Sequence, residues 1–283
     1  MIERRSFLTR AAWGALGSVV LSRLGAAARE GTRKVDKVGL QLYTVRKEMA
    51  QDFAGTLAKV AAIGFKEVEF AGYFNQSPDQ VKAALGANKL SAPSAHVPLR
   101  AIRDQLQKTI DTAAAIGHSY LVCPYLTEEE RKSLDDYKKV AETLNRAGEA
   151  GKKAGIQFCY HNHDFEFATL DGNLPYDVLL KETDPKLVMM ELDLYWIIKA
   201  GHQPDEYFSR YPGRFPLLHV KDMDNTPKKF FTEVGRGTID FKKIFAQGQQ
   251  AGVKHYFVEQ DQCPGSPFDS IKISYDYLKR LRW

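Results

Sequence analysis

This sequence has little of what would take it away from an ordinary folded domain. Its 283 residues hold three cysteines, too few for a disulfide framework and an odd number that cannot all pair. The mildly apolar stretch over residues 11–22 falls well short of the roughly 20 residues that span a bilayer, so no permanent membrane helix is expected there. Neither sign of charge dominates: 40 Lys and Arg stand against 35 Asp and Glu, a net of +5. With 44% hydrophobic and 27% charged residues, general disorder is excluded as well. The length suits one large α/β domain or two small ones.

Much of the small charge excess sits at the start. Arg4-Arg5-Ser-Phe7-Leu8 precedes the apolar stretch, and Arg23-Leu-Gly-Ala26-Ala-Ala28 follows it with an A-x-A-type site. Basic start, short apolar run and small-residue end are the three parts of a secretory leader. The arginine pair makes it look like a twin-arginine leader, read by the export machinery. Residues 1–28 are therefore expected to be a leader, 29–36 a linker and 37–283 the folded domain, exported to the periplasm. Arg4, Arg5, Arg10 and Arg23 against Glu3 give the leader +3, which leaves +2 for the rest. That balance argues against nucleic acid or an anionic membrane surface as partner. The leader has no cysteine to carry a lipid anchor, and Cys123, Cys159 and Cys263 are expected as buried small apolar residues.

What the sequence does have is one repeated unit. Ala61-Ala-Ile-Gly64, Ala114-Ala-Ile-Gly117, Lys152-Lys-Ala-Gly155 and Gln249-Gln-Ala-Gly252 each lead into a short apolar run. Each is a helix end, a glycine able to close it, and a strand. The pattern predicts eight strands: 38–43, 67–71, 91–96, 120–123, 157–161, 188–193, 217–221 and 256–259. Between them lie helices, one capped by Ser77-Pro78 and a long one closed by residues 143–153. Alternating strands and helices imply a parallel sheet with right-handed crossovers. Eight units in about 255 residues match a single-domain (β/α)8 TIM barrel. The rival, an open doubly wound sheet, wants a glycine-rich turn after the first strand, and Leu42-Tyr43-Thr44-Val45-Arg46 has none.

Chemistry in such a barrel sits at the C-terminal ends of the strands. Strands five to eight end in His161-Asn-His163, Glu191-Leu-Asp193, His219-Val-Lys221-Asp222 and Glu259-Gln-Asp261. Neighbouring strands lie about 4.8 Å apart, so His161, Asp193, His219 and Glu259 can converge on one divalent ion. Mixed imidazole and carboxylate donors favour manganese, zinc, cobalt or iron(II) over calcium; manganese is the leading expectation, with magnesium also open. The bland alternatives are helix caps and turn formers for the Asp and His, and rim charges for Glu191 and Glu259.

In this order, Gly39-Leu-Gln-Leu-Tyr43, Gly64-Phe-Lys-Glu-Val-Glu69, His161-Asn-His163, Asp193, His219-Val-Lys-Asp222, Gly235-Arg-Gly-Thr-Ile-Asp240 and Glu259 resemble the xylose isomerase-like TIM-barrel superfamily of sugar isomerases and epimerases. The resemblance runs from about Gly39 to the C-terminus. It implies one divalent metal held by strands five to eight, with a keto sugar bound to it through a carbonyl and a neighbouring hydroxyl. Two departures stand out. Ketose 3-epimerases of this superfamily carry a Glu where this chain has His161, and a His near the position of Trp196. The run His161-Asn-His-Asp-Phe-Glu-Phe167 looks more like an exported subgroup, some of whose members cleave 3-keto-glycosides by elimination.

These chemistries share a first step, removal of a proton α to a carbonyl. Glu259 is the expected ligand-and-base; His163 is expected as a general acid or hydroxyl contact, and Lys221 as an oxyanion contact or merely a partner of Glu191. Glu69 and His96 are candidates for hydrogen bonds to the sugar, or for core pairing. Tyr43, Phe70, Phe165 and Trp196 are candidates for an apolar wall. Arg236 either reaches an anionic group or stays solvated. The expectation is a metal-dependent sugar isomerase or epimerase, with a 3-keto-glycoside lyase or hydrolase as the alternative. A non-catalytic exported sugar-binding barrel is the reading from a different class. The apurinic endonucleases of the superfamily are disfavoured, because they gather more ligands and more phosphate attraction than +2 offers.

Overall fold

The computed structural model describes residues 31–283; the leader expected over 1–28 lies outside them. Eight parallel strands close into one barrel. They are β1 (Val38–Gln41), β2 (Glu67–Phe70), β3 (Ser91–His96), β4 (Tyr120–Cys123), β5 (Gln157–His161), β6 (Val188–Asp193), β7 (Leu217–Val220) and β8 (His255–Val258). Each pairs with its neighbours in chain order, and β8 pairs back to β1 through Val38↔Tyr256 and Leu40↔Val258. The expected boundaries hold to within a residue except at β1. There the Gln41 side chain accepts the Tyr43 amide at 3.0 Å and turns residues Leu42–Val45 into a 3-10 helix.

Local chemistry accounts for the helices. Ser77 and Gln80 form a reciprocal capping box, with Pro78 in the first turn of helix Pro78–Ala87. The helix expected to close over 143–153 runs as Leu134–Lys153, opened by a second box at Ser133 and Asp136. All four punctuating glycines take positive φ, from +73° to +125°, as a helix-closing residue must.

The barrel interior is layered by the two-residue period of a strand. Val122, Cys159, Leu217 and Phe257 form a separate apolar plug inside the barrel. Two residues beyond three of these plug residues stand His161, His219 and Glu259, so the apolar plug floors a polar layer at the C-terminal ends. Cys123 and Cys159 are buried free thiols, as expected, but Cys263 is only half-buried.

Beyond β7 the chain forms a short ribbon, Asp222–Met223 against Phe231–Thr232. Asp222 gathers the loop that follows. Its carboxylate accepts the amides of Met223 (2.8 Å), Gly235 (2.8 Å), Gly237 (3.0 Å) and Ile239 (3.1 Å). A Cβ at Gly237 would collide with that carboxylate, which explains the glycine in Gly235-Arg-Gly237. Replacing Asp222 with alanine would strand four amides. The expected cost is on the order of 3 kcal/mol or more, a fall of about 6–12 °C in melting temperature for a chain of this size. Calorimetry of Asp222→Ala checks this, and a melting temperature within 2 °C or so of wild type would refute the clamp.

Candidate metal centre

The ends of β5 to β8 meet at the floor of a cavity of about 510 Å³. His161, Glu259, Lys221 and His163 line it, as expected from sequence, and so do His96 and Tyr43. Beneath them Glu69, Glu191, Asp193 and His219 are fully buried.

Glu191 is the organising group. Register places it level with His161 and Leu217, one layer below Asp193, which pairs with His219. Its Oε2 is 3.1 Å from His161 Nδ1, 3.2 Å from His219 Nε2 and 2.8 Å from His96 Nε2. Glu69 Oε2 adds a contact to His219 Nε2 at 2.6 Å and is itself held by Gln41 at 2.8 Å; Ser94 donates to the other oxygen at 2.5 Å. The buried carboxylates thus occupy one nitrogen each of His161 and His219 and leave the other facing the cavity floor. His219 Nδ1 lies 2.9 Å from Glu259 Oε2 and 3.9 Å from Asp193 Oδ2, and His161 Nε2 lies 3.8 Å from Asp193 Oδ2. Asp193, His219 and Glu259 offer ligand atoms all within 4.8 Å of one another. A deeper set, His96, His161, Glu191 and His219, meets the same spacing, but its members are already in direct hydrogen-bond contact.

Electrostatics favour a cation on the outer set. Asp193 Oδ2 is buried without a hydrogen-bond donor; Lys221 Nζ approaches it to 3.1 Å, from a direction that makes no hydrogen bond. Burial lifts the Asp193 carboxyl to about 6 against the pull of Lys221 and His219. Burial would raise Glu259 too, but Lys221 and His219 beside it hold it well down. Burial opposes charge on His219 and Lys221, yet the surrounding carboxylates push both well up. Burial, reinforced by His219, holds His161 down to about 3, so its imidazole is neutral with a free lone pair. Five carboxylates, Glu69, Glu191, Asp193, Glu259 and Asp261, therefore surround one lysine and a few imidazoles. Asp193, His219 and Glu259 fit a divalent ion; His161, expected as a fourth ligand, groups with the deeper set and reaches the outer one only through Nε2, 3.8 Å from Asp193 Oδ2.

Several expectations need correction. Glu191 is no rim charge but the buried hub. Lys221 does not pair with Glu191; its partners are Glu259 (2.7 Å), Asp261 (2.9 Å) and Asp193 (3.1 Å). Glu69 supports His219 from below and does not face the cavity. His96 pairs with Glu191, as one of its two readings expected, and it also lines the cavity. Arg236 is exposed, pairs with Glu233 at 3.5 Å and does not line the cavity. Trp196 and Phe165 stand behind His163, which stacks on Phe165 at 5.4 Å and packs against Trp196 at 5.3 Å. Phe70 lies in the core. Of the four aromatics expected there, Tyr43 lines the cavity, and Pro98, Pro124 and Tyr125 complete its apolar side. His163 is placed from behind by Glu166, which accepts its amide at 2.8 Å and binds the Tyr160 hydroxyl. Burial pushes Glu166 up to about 7 and pushes His163 well down, so His163 begins as a neutral imidazole and not as an acid. Glu191 was within reach of the strand period, since it lies two residues from Asp193 on the same face of β6, whereas Asp261 lies in the bend beyond β8.

The fold has known relatives. Residues 57–281 match a protein-family model described as the xylose isomerase-like TIM barrel. A sugar phosphate isomerase/epimerase from Parabacteroides distasonis ATCC 8503 superposes with a TM-score of 0.76 at 30% identity, covering 88% of this chain and 96% of its own. The IOLI protein, solved with a zinc atom bound, superposes with a TM-score of 0.68 at 15% identity over 85% of this chain and 95% of its own, a likeness of fold. Among curated proteins, an inosose dehydratase from Lacticaseibacillus casei is 28% identical over 163 residues, 51% of this chain and 54% of the relative. That match spans about half the length of either protein. An inosose dehydratase from Clostridium beijerinckii is 22% identical over 80% of this chain and 89% of its own.

Proposed function

The chain belongs to the xylose isomerase-like TIM barrel family, and on that footing we propose that it is a divalent-metal-dependent enzyme that removes a proton α to the carbonyl of a keto sugar, as an isomerase or epimerase. The observation that carries this is the convergence of Asp193, His219 and Glu259 on one cavity floor, with His161 Nε2 3.8 Å from Asp193 Oδ2 and that oxygen lacking a donor. An ion held there would supply Lewis acidity to the substrate carbonyl.

The chain's own groups do the rest. Glu259, ionised and lining the cavity, is the base for the α proton. His163 lines the same cavity and begins neutral, so it takes a proton or donates a hydrogen bond from its N–H. Tyr43, Pro98, Pro124 and Tyr125 offer an apolar face to the sugar ring. Among the described residues that line the cavity, Lys221 is the one Lys or Arg, and three carboxylates already engage it. That supports an unphosphorylated substrate, unlike the one named for the Parabacteroides relative. We place the reaction outside the cytoplasm on the leader expected in residues 1–28; a periplasmic form lacking those residues is its test.

Elimination through the same deprotonation is the second reading, favoured by His161. That substitution leaves the β5 side of the cavity without the carboxylate of a two-carboxylate epimerase, and the dehydratase relatives are named for an elimination. A 3-keto-glycoside would be its substrate class. Incubation in D₂O with Mn²⁺ and either free ketoses or a 3-keto-glucoside separates the outcomes. Deuterium at the α carbon with an epimer or aldose product supports the first reading, and aglycone release supports the second. Sugar binding without any exchange would leave only a binding barrel.

A further inference from the structure

The geometry points to Lys221 as a resident cation that occupies the Asp193–Glu259 edge of the metal site and withdraws to Asp261 when a divalent ion binds. This rests on the metal reading above. Lys221 is almost wholly buried just beyond β7, and like His219 it faces Asp193 and Glu259. Its Nζ touches three carboxylate oxygens, Glu259 Oε2 at 2.7 Å, Asp261 Oδ1 at 2.9 Å and Asp193 Oδ2 at 3.1 Å. Two of these oxygens are the same atoms that face His219 Nδ1, at 2.9 and 3.9 Å, and so belong to the ligand set. The third belongs to Asp261, which lies outside both candidate ligand groups and lines the cavity.

A buried ammonium and a divalent ion cannot share the Asp193 and Glu259 oxygens without strong like-charge repulsion, because little water screens them. Lysine is suited to yield. Its charge is compact and sits on a four-carbon stem with freely rotating donors, so it can keep one carboxylate while releasing two. Asp261 is the partner it keeps, being the one carboxylate of the three that the ion does not need. Lys221 is thus a positioning residue: it holds the ligand carboxylates together before the ion arrives and sets how tightly the ion is held.

The test is Mn²⁺ binding by titration calorimetry, with melting curves at zero and saturating Mn²⁺, for wild type, Lys221→Met and Asp261→Asn. Lys221→Met is expected to bind Mn²⁺ at least about tenfold more tightly, to melt lower without Mn²⁺, and to gain more from it than wild type. Asp261→Asn, which removes the place of retreat, is expected to bind more weakly, by about three- to tenfold. A purely structural lysine would weaken binding in both variants. Unchanged or weaker binding by Lys221→Met overturns the proposal while wild-type binding keeps the metal reading. If Lys221→Met does not fold, Asp261→Asn decides, and unchanged or tighter binding by that variant overturns it. A wild type that binds no Mn²⁺ overturns the metal reading and this proposal with it.

Discussion

Glu259→Gln is expected to slow solvent-deuterium exchange into a keto-sugar substrate by about 10²–10⁴-fold, the usual contribution of a positioned general base. Glutamine preserves the volume at the end of β8, and Lys221 keeps Asp261 as a partner with or without the ion, so the fold should survive. What disappears is the negative charge and the proton acceptor. The same oxygen, Oε2, faces His219 Nδ1 at 2.9 Å, so metal affinity should fall as well. The two losses separate at saturating Mn²⁺, where occupancy recovers and exchange does not. Exchange within about threefold of wild type under those conditions would remove Glu259 from the role of base.

Glu191→Gln should act without touching the substrate. One carboxylate oxygen lies within 3.2 Å of nitrogens on His96, His161 and His219. It therefore decides which nitrogen of each ligand histidine faces the floor and holds both rings in place. Partners of this kind typically contribute 10–100-fold in metal affinity or activity, and a loss of about that size in Mn²⁺ affinity is expected here. The deuterium exchange rate at saturating metal should fall far less than for Glu259→Gln. Affinity unchanged in Glu191→Gln would mean that the histidines are oriented by Glu69 and packing alone.

The fold was largely legible because its two rules are local. A glycine that closes a helix and a short apolar run that follows it can be counted, and eight such units leave few architectures. The candidate ligand positions were legible as candidates for a related reason: parallel barrels carry their chemistry where strands end, so the last residues of β5 to β8 could be compared directly. Glu191 was harder because it lies one layer down. It is two residues before Asp193 on the same face, and only the register with His161 on the neighbouring strand shows it as a hub. The partners of Lys221 depend likewise on which strand end leans across the barrel, and Asp261 supplies a contact from the bend beyond β8 that no spacing within β7 announces. Arg236 between its glycines reads as an anion contact until Asp222 draws in the flanking amides and leaves the arginine side chain in solvent. The aromatic side of the cavity followed neither rule. Tyr125 and Pro124 come from the loop after β4, where the strand ends in no polar residue at all.

The central claim is that the ends of β5 to β8 form one metal site. Its most direct measurement is the metal content of protein equilibrated with Mn²⁺ and freed of excess ion, in wild type, His161→Ala and Asp193→Ala. One divalent ion per wild-type chain and a clear loss from both variants is the predicted result. Full metal content in both variants would contradict the site.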